Sequence, residues 1–338
     1  MSALASSSGR GARGPAAVGF RTAGGVCSAQ RLPPGGSLDT LSGVTGNEDI
    51  RERIDTTRPH TARIWNYWLG GKDNYPVDRE AGDQIRAIHP GIGDYALADR
   101  LFLGRAVHHL VGRAGVRQFL DIGTGLPSAD NTHEVAQRTA PDARVVYVDN
   151  DPLVLTHARA MLTSTFEGRT DYLDADLRDV DAILERAAGT LDFSEPVALM
   201  MLGVVIFVED HQESYDVVRR FMAALPSGSH LVLSHTITSP SMPEVDAAVA
   251  FWNEHGTPRL TQRTPAQVER YFDGLELLEP GVVSCSRWRP ESASGSGSPS
   301  GSGSPSGSGS GSGPEDVRER GAAEPDEVAM FGGVARKP

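Results

Sequence analysis

The stretch DIGTGLPSADNTHE, residues 121–134, follows the apolar pair Phe119-Leu120 and decides how the rest of the chain is read. Phe119-Leu120 reads as the end of a strand. Gly123 and Gly125 can take backbone angles closed to residues that carry a Cβ, and Asn131 to Arg138 has the pattern of a helix start. Strand, tight turn and helix, in that order, form the unit in which a backbone approaches a bound nucleotide closely. A G-x-G also occurs in purely structural turns, so its meaning depends on what surrounds it.

Strands are predicted at Gln118 to Asp121, Arg144 to Asp149, Thr170 to Leu173, Val197 to Leu202 and His230 to His235, each short, apolar and separated by a helical stretch. Such alternation argues for an α/β fold, a parallel sheet wound with helices on both faces. Val217, Phe221 and Leu225 fall four apart, and Pro226-Ser227-Gly228 ends that helix before the next strand. Leu103, Val107, Leu110 and Val111 make a similar stripe that stops near Gly115. Both stripes read as core.

Ligands of such sheets sit beyond the carboxyl ends of the strands, so the acids found there carry the functional reading. The second strand, in ARVVYVDND, ends in Asp149, 24 residues past Gly125, where a carboxylate would accept hydrogen bonds from ribose hydroxyls. The third, in DYLDADLRD, ends in Asp176, placed to accept from the exocyclic amine of an adenine. Turn and acids together define an adenosine-sized site. NAD and S-adenosylmethionine both contain adenosine. A pyrophosphate would want a third glycine and a free helix N-terminus, but Pro127 has no N–H to give and Asp121 would repel it. A cationic sulfonium is favoured by the same charge. The Tyr-x-x-x-Lys pair of short-chain dehydrogenases is excluded, because no lysine occurs between Lys72 and Lys337.

Texture divides the 338 residues into a Ser/Gly/Ala-rich leader over 1–48, expected to be disordered, and a main domain over 49–291. A flexible Ser/Gly/Pro-rich loop follows over 292–326, and a closing strand is expected over 327–338. In EVAMFGGVARK, residues 327–337, Val328, Met330, Phe331 and Val334 are apolar, and the partner would be Leu275 to Leu278 or Val282 to Ser286. A net charge of −12 argues against nucleic acid as a partner. No apolar run approaches the roughly 20 residues of a membrane span, and a cytoplasmic location is expected. Cys27 and Cys285 are expected to be free thiols, with no metal site.

The order of DIGTGLP, VVYVDNDP and DYLDADLRD resembles a class I S-adenosylmethionine-dependent methyltransferase. The preceding TTRPHTARIWNYWLGGKDNYPVDREAGDQI is similar to an actinobacterial group, the S-adenosyl methyltransferase family, formerly a domain of unknown function. The likeness runs from about Asp55 to the end, leader and linker excepted. It implies a Rossmann-like, mostly parallel seven-stranded sheet with an antiparallel last strand, and S-adenosyl-L-methionine as cofactor. It also implies Asp121, Gly123 and Gly125 around the methionine part, Asp149 at ribose and Asp176 near adenine, with Thr124, Asn150 and Leu177 beside them. The general class has glycine where Pro127 stands; this group shares the proline.

The acceptor is less legible. Trp65, Tyr67, Trp68 and Tyr75 crowd around Gly70-Gly71, either as core or as a lid hinged on the glycines, where aromatic faces would attract a sulfonium. Lys72 and Tyr75 of this segment are candidates for the chemistry, as are His211 and His235 beyond strands four and five, with Glu209 and Asp210 nearby. The fourth strand lacks the Asn/Asp-Pro-Pro-aromatic signature of amino-methylating DNA enzymes, and no Pro-Cys nucleophile is present. The expected acceptor is a small molecule or a protein. A non-catalytic S-adenosylmethionine-binding regulator or scaffold is an alternative, as is a nicotinamide enzyme of another type.

Overall fold

Apolar runs too short for helices become the parallel part of one sheet, with strands β1 (Gln118–Ile122), β2 (Arg144–Asp149), β3 (Arg169–Asp174), β4 (Ala198–Leu202) and β5 (His230–Thr236). The computed structural model describes residues 54–161, 163–290 and 327–338. The expected leader and Ser/Gly/Pro-rich loop lie outside them. All described residues belong to one compact unit, Thr45–Pro338. The spatial order is β3-β2-β1-β4-β5-β8-β6, with β7 also on β8. Central β1 is buried at every position, as a strand covered on both faces must be.

The helices are α1 (Thr61–Trp68), α2 (Pro76–Ile88), α3 (Ile92–Gly112), α4 (Thr132–Thr139), α5 (Pro152–Met161), α6 (Val180–Ala187), α7 (His211–Ala224), α8 (Pro243–His255) and α9 (Pro265–Glu269). Leu103, Val107, Leu110 and Val111 of α3 are buried, as are Val217 and Phe221 of α7. Asp210 caps α7 by accepting from the Glu213 N–H at 2.8 Å. Among the described residues no helix is long and apolar enough to cross a membrane.

The end of the chain enters the sheet and does not border it. Strand β8 (Met330–Arg336) runs antiparallel to β5 along its whole length. Its other side pairs with β6 (Glu276–Leu277) and β7 (Val283–Ser284). Both stretches expected as partners are thus used. A turn closed by the Gly281 N–H on the Leu278 carbonyl, 2.9 Å, separates them, so the seventh of the seven sheet positions, the edge beyond β8, holds two short strands. Lys337 then reaches the C-terminus of α7, where its ammonium donates to the carbonyls of Met222 at 2.8 Å and Ala223 at 3.2 Å. A point charge with several donors suits these open carbonyls.

Because β8 holds β6 and β7 to the sheet, a chain stopped at Pro314 should lose them and bare the edge of β5. Thermal unfolding followed by circular dichroism should show no cooperative transition, and a melt equal to that of the full chain would contradict the role given to β8.

Candidate functional site

The carboxyl ends of β1 to β4 open into a cleft of about 380 Å³. Its floor is the glycine turn. Gly123 sits at φ 75°, and a Cβ there would lie 2.3 Å from Val204 Cγ2, so both angle and space demand glycine. Gly125, at φ 67°, faces open space. The Gly125 N–H donates to Asp149 Oδ2 at 3.0 Å, and the Asp151 N–H donates to Oδ1 at 2.9 Å. Asp149 therefore locks the turn after β1 to the end of β2. Asp121 is buried beside it and accepts from the Thr132 hydroxyl at 2.6 Å.

Asp121, Gly123, Thr124, Gly125, Asp149, Asn150, Asp176 and Leu177 all border this one cleft. Asp176 is engaged already, accepting from Arg178 Nη1 at 3.1 and 3.2 Å, while Arg178 Nη2 donates to the Phe207 carbonyl at 3.3 Å. Two further charged residues of the cleft, Asp99 and Arg100, come from α3. Arg100 donates to the Ser128 hydroxyl and, at 3.0 Å, to Asn131 Oδ1, yet its Nε is buried with no partner. In sequence these two residues only interrupt an apolar stripe, and that interruption is the one signal that could have revealed them. An unmet cationic donor near Asp99 and Asp121 fits a zwitterionic ligand. A pyrophosphate does not fit, since the N-terminus of α4 is filled by its own capping box, with the Asn131 N–H on Glu134 Oε2 at 2.8 Å.

Residues 47–338 match the S-adenosyl methyltransferase family. The chain belongs to that family. The methyltransferase is similar over 84% of its length to a DUF574 family protein from Streptomyces avermitilis, with 41% identity, 99% of that chain covered and a TM-score of 0.72. It is also similar to a structure from Thermobifida fusca whose name assigns it provisionally to the methyltransferases, with 33% identity, 87% and 99% of the two chains covered, and a TM-score of 0.69. No curated protein matches the chain at a significant level. The fold is accordingly the Rossmann-like class I one, the enzyme is a methyltransferase, and its methyl donor is S-adenosylmethionine.

Over the floor lies a roof built by α1. Buried Asp78 organises it, accepting from the N–H groups of His60 (2.9 Å) and Tyr75 (2.8 Å) and pairing with the Arg63 guanidinium at 2.9 Å. His60 also forms a backbone bridge with Thr257, and the Thr257 N–H donates to the Pro59 carbonyl at 3.2 Å. The four aromatic residues then divide. Trp65 borders the cleft, Trp68 is core, Tyr67 donates to Asp83 Oδ1 at 2.7 Å, and Tyr75 packs with Leu126, Leu153 and Val154. The glycine pair ends α1: the Gly71 N–H donates to the Asn66 carbonyl at 2.8 Å, and a Cβ on Gly71 would lie 2.3 Å from Asn66 Nδ2. That is a tight helix cap where the sequence had suggested a hinge.

Most candidates for the chemistry fall elsewhere. Lys72 and His211 are exposed and, like Tyr75, do not border the cleft. Glu209 does border it, and Asp210 is spent as a helix cap. His235 is fully buried, its Nδ1 donating to the Thr236 carbonyl at 2.7 Å and its Nε2 accepting from Arg263 Nη1 at 2.8 Å. Burial, with Arg263 next, pushes its pKa down to about 3. The end of β5 turns this ring under Arg263, which explains why a histidine expected as a base is a neutral structural acceptor.

Burial raises the carboxyls of Asp99, Asp121 and Asp149 from 3.8 to about 6. The unfolded chain titrates them near ~3.9, so between about pH 4 and about pH 6 the folded state binds more protons and its stability falls as pH rises. Without ligand, Asp121→Asn should melt above wild type at about pH 7, with the gap shrinking markedly by about pH 4.5, read by scanning calorimetry. An equal gap at both pH values would contradict the buried, costly carboxylate.

Proposed function

We propose that the cleft binds S-adenosylmethionine through Asp121, Gly123, Thr124, Gly125, Asp149, Asn150, Asp176 and Leu177, and that the enzyme methylates a small molecule in the cytoplasm. The observation that carries this reading is the meeting of opposite charges in the cleft, Arg100 with an unmet buried donor and, within reach of its charge, Asp121 and Asp99. Bound there, the cofactor supplies a methyl group made electrophilic by its sulfonium.

The work of the protein is to bind, orient and dry. Arg100 takes the carboxylate of the cofactor's amino-acid end and Asp121 its ammonium, each a charge-assisted bond in a site of low dielectric. Asp149 keeps acceptor capacity for ribose hydroxyls after holding the Gly125 and Asp151 N–H groups. Gly125 leaves room for close approach, and Trp65 brings an aromatic ring to the cleft wall while the roof sheds water. A roof tied down at His60 and Thr257 favours a small acceptor over a protein segment.

Calorimetry on the full chain tests the arrangement. Arg100→Gln should weaken S-adenosylmethionine binding by about tenfold or more, yet leave 5′-methylthioadenosine, which lacks the amino-acid end, within about twofold. Asp149→Ala should weaken both, by roughly 10-fold to 100-fold, on the order of 1.5–3 kcal/mol for lost charge-assisted bonds. Equal losses for both ligands in the Arg100 variant would refute its assignment to the amino-acid end.

A further inference from the structure

The roof of the cleft carries an imidazole with a carboxylate behind it. His60 precedes α1, borders the cleft, and places Nδ1 3.1 Å from Asp151 Oδ2, an ion-pair contact whose angle lies outside hydrogen-bond geometry. Both partners are fixed through the main chain. The His60 N–H is held by Asp78 at 2.9 Å, and its backbone bridges to Thr257. Asp151 Oδ1 accepts from the Leu153 N–H at 2.8 Å, and the Asp151 N–H is bound by Asp149. A proton on Nδ1, the ring nitrogen nearer the carboxylate, leaves the lone pair on Nε2. Among the described residues His60 is the only histidine bordering the cleft.

We infer that His60, oriented by Asp151, is the general base of the methyl transfer, and that the acceptor atom is therefore a hydroxyl oxygen on a small, largely apolar molecule. The inference rests on the reading that S-adenosylmethionine fills the cleft. A neutral amine attacks with a free lone pair and needs no proton removed first. A hydroxyl is a weak nucleophile whose product would be an oxonium, and a positioned base contributes typically about 10²–10⁴-fold. Trp65, Leu69, Phe207 and Pro258 supply apolar walls for the rest of the acceptor.

The step balances. The hydroxyl oxygen bonds to the methyl carbon, sulfur keeps the electron pair of the breaking bond, and the hydroxyl proton moves to His60 Nε2. The imidazolium so formed faces the Asp151 carboxylate and later returns its proton to water. The charged groups around the ring are Asp151, Arg63 and Asp78. Burial lowers the ring's pKa first, Asp151 opposes that, and the net displacement is downward, which leaves a neutral base near neutral pH.

The test uses the full chain with S-adenosylhomocysteine as the probe. Wild-type binding of the probe, by calorimetry, checks the cofactor reading on its own. His60→Gln should bind the probe within about twofold of wild type; a loss of about tenfold or more makes His60 a contact of the cofactor and overturns the proposal. Ring-nitrogen NMR of the probe-bound protein at about pH 7.5 should find His60 neutral with its proton on Nδ1, and a charged ring or a proton on Nε2 overturns it. With methyl-labelled S-adenosylmethionine and a bacterial small-molecule extract, the transferred label should sit in ether linkage, and His60→Gln should lower the rate by about 100-fold. Label on nitrogen, or an unaltered rate, overturns it.

Discussion

A cleft that buries the carboxyls of Asp99, Asp121 and Asp149 together is unfavourable in itself, and the rest of the structure has to hold it in place. Each acid is raised to about 6 by loss of water, so each disfavours folding at neutral pH. What offsets them is the sheet beneath, with every position of β1 buried and β2 buried along its inner length. A cationic ligand reverses the sign of the effect, because the charged carboxylates it meets are already dry and oriented. Instability of the empty site and affinity of the filled one have the same physical origin.

The roof follows the same logic at a second buried charge. Asp78 is fully buried, and its cost is met by Arg63 and by the N–H groups of His60 and Tyr75. Because those groups lie at the start of α1 and of α2, one carboxylate fixes the helix that covers the cleft. Losing Arg63 would strand that charge in the interior, a far larger effect than losing a surface pair. Roof and floor are thus both organised by aspartates whose neighbours are set by backbone geometry.

The floor was legible in the sequence because it is local. Gly123 and Gly125 announce a turn by residue type, and Asp149 and Asp176 fall where apolar runs stop, so placement at the strand ends follows from the α/β pattern. Asp99, Arg100 and His60 were not legible. They reach the cleft from segments ahead of β1, where a helix period tells which residues face inward but not what lies opposite. His235 shows the reverse failure: the end of β5 looks in sequence like the end of β4, yet its ring meets Arg263, which is 28 residues away. The break between β6 and β7 was hidden for another reason, since two-residue strands carry no period at all.

The central claim is that ligand and roof meet over the glycine turn. Hydrogen–deuterium exchange of the full chain with and without S-adenosylhomocysteine tests it most directly. Slower exchange on adding ligand is expected at residues 60–69 and at residues 121–126, with the far end of the sheet unchanged. Protection confined to the amino ends of the strands, around Arg113 to Gln118, or absent altogether, would contradict the account.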